Sequence, residues 1–402
     1  MLRFLCTVLI FLSVSESVRA GEIQVGVLVG TSQRSTFDHT FKRFTKETGI
    51  AVRTIPSQDT AYKAKVPIWL LDGHGTPDVI FWQASQRLFA YTSKNAVHPI
   101  TSLWTEEKLD ANFSHVKSGV AQNGEVYALP VSYYHWGLYY KKSVVEKFGG
   151  VPKDWAAFME QCQRMKDAGI TPIGIGRKDK WPAAAWFDYL NLRLNGLSFH
   201  QELLAGKITF TDARVQRVLV EWKKLIDADF FSPNRADEGW DDVLPYMYRD
   251  RVAYTLVGNF VTSKIPSTLY QDFGFTPFPS IGKSERYEEA PLDVLLIPKK
   301  AKNIKGAEAF IRFMARADVQ SSLNADLGYL PPHRQGIASP KAFTQAGVDL
   351  LRQSKGVSQY FDRDSPPEFE KLAIPLLAEF TVYADVAGLT SRLEAARKSV
   401  FP

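Results

Sequence analysis

Aromatic and hydrogen-bonding side chains occur together where two predicted strands end. Trp82 and Gln83 come at the end of an apolar strand, and Ser32 and Gln33 follow the first strand of the chain. In open α/β sheets, ligands bind beyond the carboxyl ends of the strands. A sugar ring offers an apolar C–H face that stacks on an indole, and hydroxyls that bond to amides and hydroxyls. We therefore expect these four side chains to line one crevice suited to a carbohydrate.

Further aromatic rings follow in two other segments. The run Tyr133–Trp136 places ring side chains in a row, with no helical or strand alternation that would bury them all. We expect Tyr134 and Trp136 to face the crevice, although packing at a hinge is the alternative. Trp181 follows the charged loop Arg177–Lys180 and precedes a proline, which favours a ligand contact over a place in the core.

One carboxylate is a candidate partner for sugar hydroxyls. Asp293 stands just before the apolar strand Val294–Ile297. An ionised carboxylate there can accept hydrogen bonds from two hydroxyls, and such charge-assisted bonds are strong. The alternative interpretation is a salt bridge in a turn. If it binds, Asp293 adds a hydroxyl acceptor to the stacking faces of the aromatic rings.

No catalytic motif accompanies these residues. The sequence lacks a nucleophile elbow, a P-loop, an HExxH helix and paired cysteines at metal spacing, and its 7 histidines are scattered. We therefore predict no cofactor, no metal and no enzymatic activity. Two carboxylates that meet in a cleft as a glycosidase pair stay open as an alternative.

Charge and cysteine content restrict the partners. The formal net charge of +6 is spread along the chain without a block of Lys and Arg, so we predict no nucleic-acid partner. The two cysteines are Cys6 and Cys162. Cys162 lies in a helical pattern among apolar neighbours, which predicts a buried thiol rather than a disulfide.

The beginning of the chain has the pattern of a signal peptide over residues 1–20. Arg3 supplies the positive charge, Leu5–Val14 the apolar run, and Val18–Ala20 a cleavage site with small residues. The apolar run is too short to span a membrane, although an amino-terminal anchor helix is the alternative. We predict cleavage after Ala20 and a mature periplasmic protein that is not inserted in the membrane.

Strands and helices alternate along the rest of the chain. Glu22–Val29 is an alternating strand, Phe37, Phe41 and Phe44 recur at helical spacing, and Ile50–Ile55 returns as a strand. This order predicts an α/β fold with parallel strands. A chain of 402 residues is long for one core, so we expect two lobes.

Several segments occur in an order that one protein family shares. They are Pro77–Trp82, Leu129–Lys141, Phe148–Phe158, Ala168–Gly174, Ala309–Phe313 and Gly328–Pro331. On these segments the chain resembles the periplasmic sugar-binding proteins of ABC transporters, the extracellular solute-binding proteins that include the maltose-binding protein.

The resemblance implies the type II periplasmic-binding-protein fold, with two α/β lobes joined by a hinge of about three crossings. The implied lobes are residues 21–131 plus 279–328, and residues 132–278 plus 329–402. It also implies that a monomer captures a carbohydrate in the cleft between the lobes, closes around it and docks on the membrane permease of an ABC importer.

The same likeness marks two further residues and two departures. Asn259 matches the family's site loop, and His333 follows a proline turn where the family often reaches the cleft. The loop Thr31–Arg34 and the segment Val257–Phe260 depart from the usual family sequences, so the sugar is left open, and Arg34 even permits an anionic one. Three alternatives remain: a partner of a periplasmic sensor receptor, a binding protein for a non-sugar solute, and a carbohydrate-active enzyme.

Overall fold

The computed structural model describes residues 21–28, 33–233, 237–283 and 285–401. The predicted signal peptide and Ser32 lie outside the described residues. Within those ranges, no helix is both long and apolar enough to span a membrane.

The described strands fall into two main sheets and two short pairs. They are β1 (Glu22–Leu28), β2 (Ala51–Ser57), β3 (Val79–Gln83), β4 (Val97–His98), β5 (Ala121–Gln122), β6 (Glu125–Val126), β7 (Ala128–Tyr133), β8 (Trp136–Lys141), β9 (Thr171–Gly174), β10 (Val252–Gly258), β11 (Phe273–Thr276), β12 (Glu288–Glu289), β13 (Leu292–Pro298) and β14 (Val357–Ser358).

The α-helices cover the faces of both sheets. They are α1 (Arg34–Thr48), α2 (Asp59–Pro67), α3 (Gln86–Thr92), α4 (Thr101–Glu106), α5 (Asp110–Phe113), α6 (Lys142–Val145), α7 (Trp155–Asp167), α8 (Trp181–Leu204), α9 (Ala213–Asp227), α10 (Leu244–Tyr248), α11 (Ile304–Met314), α12 (Ala317–Leu327), α13 (Ala342–Gln353), α14 (Phe361–Asp364), α15 (Pro367–Tyr383) and α16 (Val386–Val400).

The first sheet has the order β2-β1-β3-β13, and β4 and β7 both pair with β13. β1 runs parallel to β2 and β3, which confirms the predicted β-α-β start. β13 returns antiparallel and places Asp293 opposite Gln83 on one side and Ser132 on the other. Asp293 therefore lies inside a strand, whereas the sequence predicted it just before one.

The second sheet has the order β11-β8-β10-β9. β8 and β10 are antiparallel, with Trp136 opposite Gly258. A Cβ atom on Gly258 would lie 2.5 Å from the Phe260 ring and 3.1 Å from the Trp136 indole nitrogen. A larger residue at this position would therefore push the two rings apart.

The chain passes between the two sheets three times within the described residues. It crosses from β7 to β8, returns between β11 and β13, and leaves the first sheet again after Leu330, which forms a bridge with Tyr133. The carboxyl-terminal helices α15 and α16 then pack against α8 and α9 beside the second sheet. The structure thus has the two-lobed α/β fold that the sequence predicted.

Helix α8 starts directly after the charged loop Arg177–Lys180. It begins at Trp181, has Pro182 in its first turn, and is interrupted by Gly196, whose φ is 80°. Proline suits the first turn because its missing N–H has no partner inside the helix there. Trp181 is therefore the first residue of a helix and is not part of the charged loop that it follows.

Candidate functional site

A cavity of about 650 Å³ lies between the two sheets. Cavities of roughly 300–1,000 Å³ are typical of small-molecule sites in proteins. The first lobe contributes the ends of β3 and β7 and the start of β13, and the second lobe contributes the start of β8 and the loops before α8 and α10. The cavity is lined by these residues of the prediction: Gln33, Trp82, Gln83, Tyr134, Trp136, Trp181 and Asp293.

Three partly exposed rings form the wall of the cavity on the second lobe: Trp181, Trp240 and Phe260. The ring centroids of Trp240 and Phe260 are 4.9 Å apart in an edge-to-face arrangement. Trp181 lies 6.0 Å from Phe260 and 6.3 Å from Trp240. These rings still have accessible surface in the cavity, which a sugar face needs for stacking.

Trp136 stands behind this wall and is only 3% exposed. Its ring packs against Tyr360 with centroids 4.7 Å apart. The Tyr360 hydroxyl donates a hydrogen bond to the backbone oxygen of Trp181 at 2.6 Å. Tyr360 has a φ of 119°, which is strained for a residue with a bulky side chain and persists only where surrounding contacts hold it. Trp136 and Tyr360 therefore support the wall.

Trp82, on the first lobe, is largely core. It is 5% exposed, its indole N–H donates to the backbone oxygen of Arg87 at 2.9 Å, and its ring packs edge-on against Tyr91. Only a small part of the side chain reaches the cavity. The indole N–H, which would serve as a donor to a ligand, is already bonded within the lobe.

Three buried polar atoms of cavity residues have no hydrogen-bond partner among the described residues. They are the Oε1 of Gln83, the Oγ of Ser132 and the indole nitrogen of Trp136. Buried polar groups in proteins are nearly always bonded, and an unpaired one costs about 1–3 kcal/mol. Each of these atoms has almost no accessible surface, so a ligand would pair with it only if neighbouring side chains moved.

Arg363 organises the polar side of the cavity. Its guanidinium donates to an Asp293 carboxylate oxygen at 2.9 Å, to the backbone oxygen of Leu292 at 3.0 Å and to the Tyr134 hydroxyl. Burial alone would lower the pKa of Arg363, but the neighbouring Tyr134 and Asp293 oxygens raise it. Arg363 is therefore a fixed cation.

A second arginine holds the neighbouring carboxylate. Arg87 of α3 donates to the Asp362 carboxylate at 2.9 Å and to Glu370 at 2.6 Å. Burial would raise the pKa of Asp362, but the positive charges of Arg87, Lys63 and Arg363 lower it overall. Asp362, which lines the cavity, is therefore an ionised acceptor tied to the first lobe.

Two predicted residues lie away from the cavity. Asn259 is fully buried, and its amide donates to the backbone oxygen of Gly328. The His333 ring packs edge-on against Phe113 at 5.2 Å, and its Nδ1 accepts from the backbone N–H of Gln335. Segments that are distant in sequence fold back onto Asn259 and His333. Both side chains therefore make the contacts of structural residues.

Sequence reasoning missed several cavity residues. Trp240 belongs to the polar loop before α10, and Tyr360 directly precedes the short helix α14. The residues around Trp240 and Tyr360 show no helical or strand periodicity that would identify either one as a site residue. The sequence offers Asp362 and Arg363 as further candidates in a late polar loop; both lie in α14, and the fold brings Arg363 within hydrogen-bonding distance of Asp293. Among the described residues, no group of three or more His, Cys, Asp or Glu side chains is arranged to hold a metal.

The family model for bacterial extracellular solute-binding proteins matches residues 30–321 of the chain. The chain belongs to this family. The family binds solutes, and it is not a family of catalysts. Its two-lobed architecture agrees with the fold and with the place of the cavity between the sheets.

Individual relatives are distant in sequence and close in structure. An uncharacterized ABC transporter extracellular-binding protein of Pyrococcus horikoshii is 24% identical, over 77% of this chain and 70% of the relative. The multiple sugar-binding protein of Streptococcus mutans is 22% identical, over 71% and 70% of the two chains. The solved structure of the bacterial solute receptor AcbH superposes with a TM-score of 0.89 at 25% identity, over 95% of this chain and all of that one. That receptor has an exclusive substrate preference for β-D-galactopyranose.

Proposed function

We propose that this chain is the carbohydrate-binding component of an ABC importer and that it holds a mono- or oligosaccharide in the cavity between its lobes. The observation that carries the proposal is the composition of the cavity. Accessible rings of Trp181 and Trp240 occur together with the polar side chains of Gln83 and Asp293. Sugars combine an apolar ring face with hydroxyls and so match both features.

Fixed charges provide the specificity in this proposal. Asp293 and Asp362 are held in place by Arg363 and Arg87. Their remaining lone pairs accept hydroxyl hydrogens, and a sugar whose hydroxyls miss these acceptors leaves buried groups unpaired, at about 1–3 kcal/mol each. A difference of that size changes the relative affinity for two epimers by about 5- to 150-fold.

The proposal also includes closure of the two lobes around the ligand and export of the protein to the periplasm. The two lobes are residues 21–131 plus 279–328, and 132–278 plus 329–402, and the ligand favours the closed form because it contacts both. The signal peptide is cleaved after Ala20, and the mature protein works as a periplasmic monomer that delivers its ligand to a membrane permease. A chain that docks on a sensor receptor instead would bind the same ligand.

A cationic solute such as a polyamine is the second candidate, because five aspartates line the cavity. They are Asp179, Asp241, Asp242, Asp293 and Asp362. Each already accepts from the protein: Asp241 pairs with Lys264 at 3.0 Å, and Asp179 and Asp242 accept backbone N–H groups. A polycation would have to compete with these partners, which favours the neutral sugar.

A thermal-shift panel tests the proposal. The protein is unfolded in guanidinium chloride and refolded to remove bound ligand, and then heated with D-galactose, maltose, further mono- and oligosaccharides, and spermidine. A ligand at 100 times its Kd adds about 2.7 kcal/mol to the free energy of unfolding, so one sugar should raise the Tm by several degrees. A shift with spermidine and with no sugar would support the second candidate, and hydrolysis of an oligosaccharide by the purified protein would contradict both.

A further inference from the structure

Trp240 lies in the wall of the cavity and also packs against the edge of a hydrophobic core of the second lobe. Its side chain is partly exposed and lines the cavity. Its ring packs edge-on against Phe260 and at a tilt against Trp181. The loop that carries it lies between α9 and α10 and also contributes Gly239, Asp241 and Asp242 to the cavity.

Asp179 holds this loop in place. One carboxylate oxygen of Asp179 accepts the backbone N–H of Trp240 at 2.9 Å. The backbone N–H groups of Arg177 and Lys178 both donate to the backbone oxygen of Glu238 at 3.0 Å. The Trp240 loop is thus bonded on both sides to the segment that leads into α8.

A close contact between two glycines makes this arrangement possible. A Cβ atom on Gly176 would lie 2.2 Å from the backbone oxygen of Gly239. Glycine at position 176 therefore lets the two loops touch, and the touching loops bring the Asp179 carboxylate within reach of Trp240. Lys264 adds a further support, because its ammonium lies 5.9 Å from the centre of the Trp240 ring.

The geometry points to Trp240 as a stacking residue that contributes to ligand specificity, and to Asp179 as the positioning residue that sets its ring. This inference rests on the proposed function and deepens it. The ring forms part of the second-lobe wall, so a sugar that reaches it also bridges to the first-lobe groups Gln83 and Asp293. Closure around the ligand then depends on this contact.

The test is isothermal titration calorimetry with the panel sugar that gives the largest thermal shift. We expect Trp240→Ala to weaken binding about tenfold or more, which corresponds to ~1.4 kcal/mol, and Trp240→Phe to keep most of the affinity. Tyr383→Ala removes a ring that is 69% exposed and lies outside the cavity, and serves as the matched control that should bind as the wild type does.

Two further variants separate positioning from direct contact. Asp179→Ala should weaken binding in the wild-type background and cause no additional loss in the Trp240→Ala background. Asp179→Asn keeps an oxygen that accepts the Trp240 N–H and should restore most of the affinity. If Asp179→Asn is as weak as Asp179→Ala, or if the losses add in the double variant, Asp179 contacts the sugar itself and the positioning role is overturned.

The outcomes for the inference and for the proposed function are distinct. If the wild type binds a sugar and Trp240→Ala binds it equally well, the stacking role is wrong and the proposed function stands. If the wild type binds no sugar in the panel, the proposed function fails and the stacking role fails with it. Circular dichroism of each variant establishes that it is folded, and Trp240→Phe provides a second readout, since the sugar should then change tryptophan fluorescence less.

Discussion

The Arg363 guanidinium donates a hydrogen bond to the Asp293 carboxylate over 2.9 Å and another to the Tyr134 hydroxyl. Asp293 belongs to strand β13 of the first sheet, and Arg363 belongs to α14, which packs against α8 beside the second sheet. The pair therefore joins the two lobes at the edge of the cavity and fixes the orientation of an acceptor that lines the cavity.

The first prediction concerns a variant that lacks the Arg363 guanidinium. Arg363→Leu leaves the Asp293 carboxylate, whose side chain is 25% exposed, without its arginine partner. Breaking a buried ion pair on one side costs on the order of 3 kcal/mol, so we expect the free energy of unfolding to fall by about that amount. Urea denaturation measures it, and calorimetry should show weaker sugar binding.

Two companions to Arg363→Leu identify the cause of the loss. Adding Asp293→Asn to Arg363→Leu removes the uncompensated charge and should recover part of the stability. Arg363→Lys keeps the charge but not the forked geometry, and should fall between the wild type and Arg363→Leu. If the free energy of unfolding of Arg363→Leu equals that of the wild type, the Arg363–Asp293 pair does not contribute to stability.

The second prediction concerns the first residue of α8. Trp181→Ala removes an accessible ring from the second-lobe wall but leaves the backbone oxygen to which Tyr360 donates. We expect sugar affinity to fall more than about tenfold, or ~1.4 kcal/mol, with little change in the far-UV spectrum. Normal binding in this variant would make Trp181 a structural residue.

The third prediction is a pH dependence of stability from two buried carboxyl groups. Asp188 of α8 and Glu289 of β12 are completely buried and lie near each other. Burial raises the pKa of Asp188 to about 8, and burial together with the nearby Asp188 raises the pKa of Glu289 well above its ordinary value. The folded protein therefore retains protons that the unfolded chain releases.

The sign of this dependence follows from proton linkage. Between the ordinary carboxyl pKa near 4 and about 8, the folded state binds more protons, so the free energy of unfolding falls as the pH rises. Asp188→Asn keeps an acceptor for the Phe361 N–H, which Asp188 accepts at 2.7 Å, and should flatten this slope. Thermal denaturation of the wild type and of Asp188→Asn from pH 5 to pH 9 measures the slope. Parallel plots of Tm against pH for the two proteins would contradict the prediction.

The fourth prediction concerns processing. Expression of the full chain in a Gram-negative host should yield a periplasmic protein that begins at Gly21, because the residues before it have the charge, apolar run and small residues that signal peptidase needs. Mass spectrometry of the intact protein from an osmotic-shock fraction measures the start. A protein that keeps residues 1–20 and stays with the membrane would instead indicate an anchor helix.

Local patterns in the sequence predicted the scaffold of the site. Alternation and helical spacing located β1, α1 and β2, and the rule that ligands bind beyond strand ends placed Gln33, Trp82 and Gln83 around one cavity. Ligand contact by these residues remains a prediction. Such inferences succeed because strand and helix periodicity depend on neighbours within a few residues.

The rest of the site depends on contacts between distant segments. Trp240 reaches the cavity because its loop is bonded to Asp179, and Arg363 reaches it because α14 lies beside β13. Asn259 follows a strand as the family's site residue does, but its amide is bonded to Gly328. No local pattern contains these pairings, since each is decided by how the lobes and loops pack together.

A crystal structure of the protein with the sugar that gives the largest thermal shift tests the central claim most directly. The account predicts one sugar in the cavity between the sheets, with a ring face against Trp181 or Trp240 and hydroxyl oxygens within about 3.2 Å of Gln83 or Asp293. A sugar bound outside this cavity, or a non-sugar solute in its place, would contradict it.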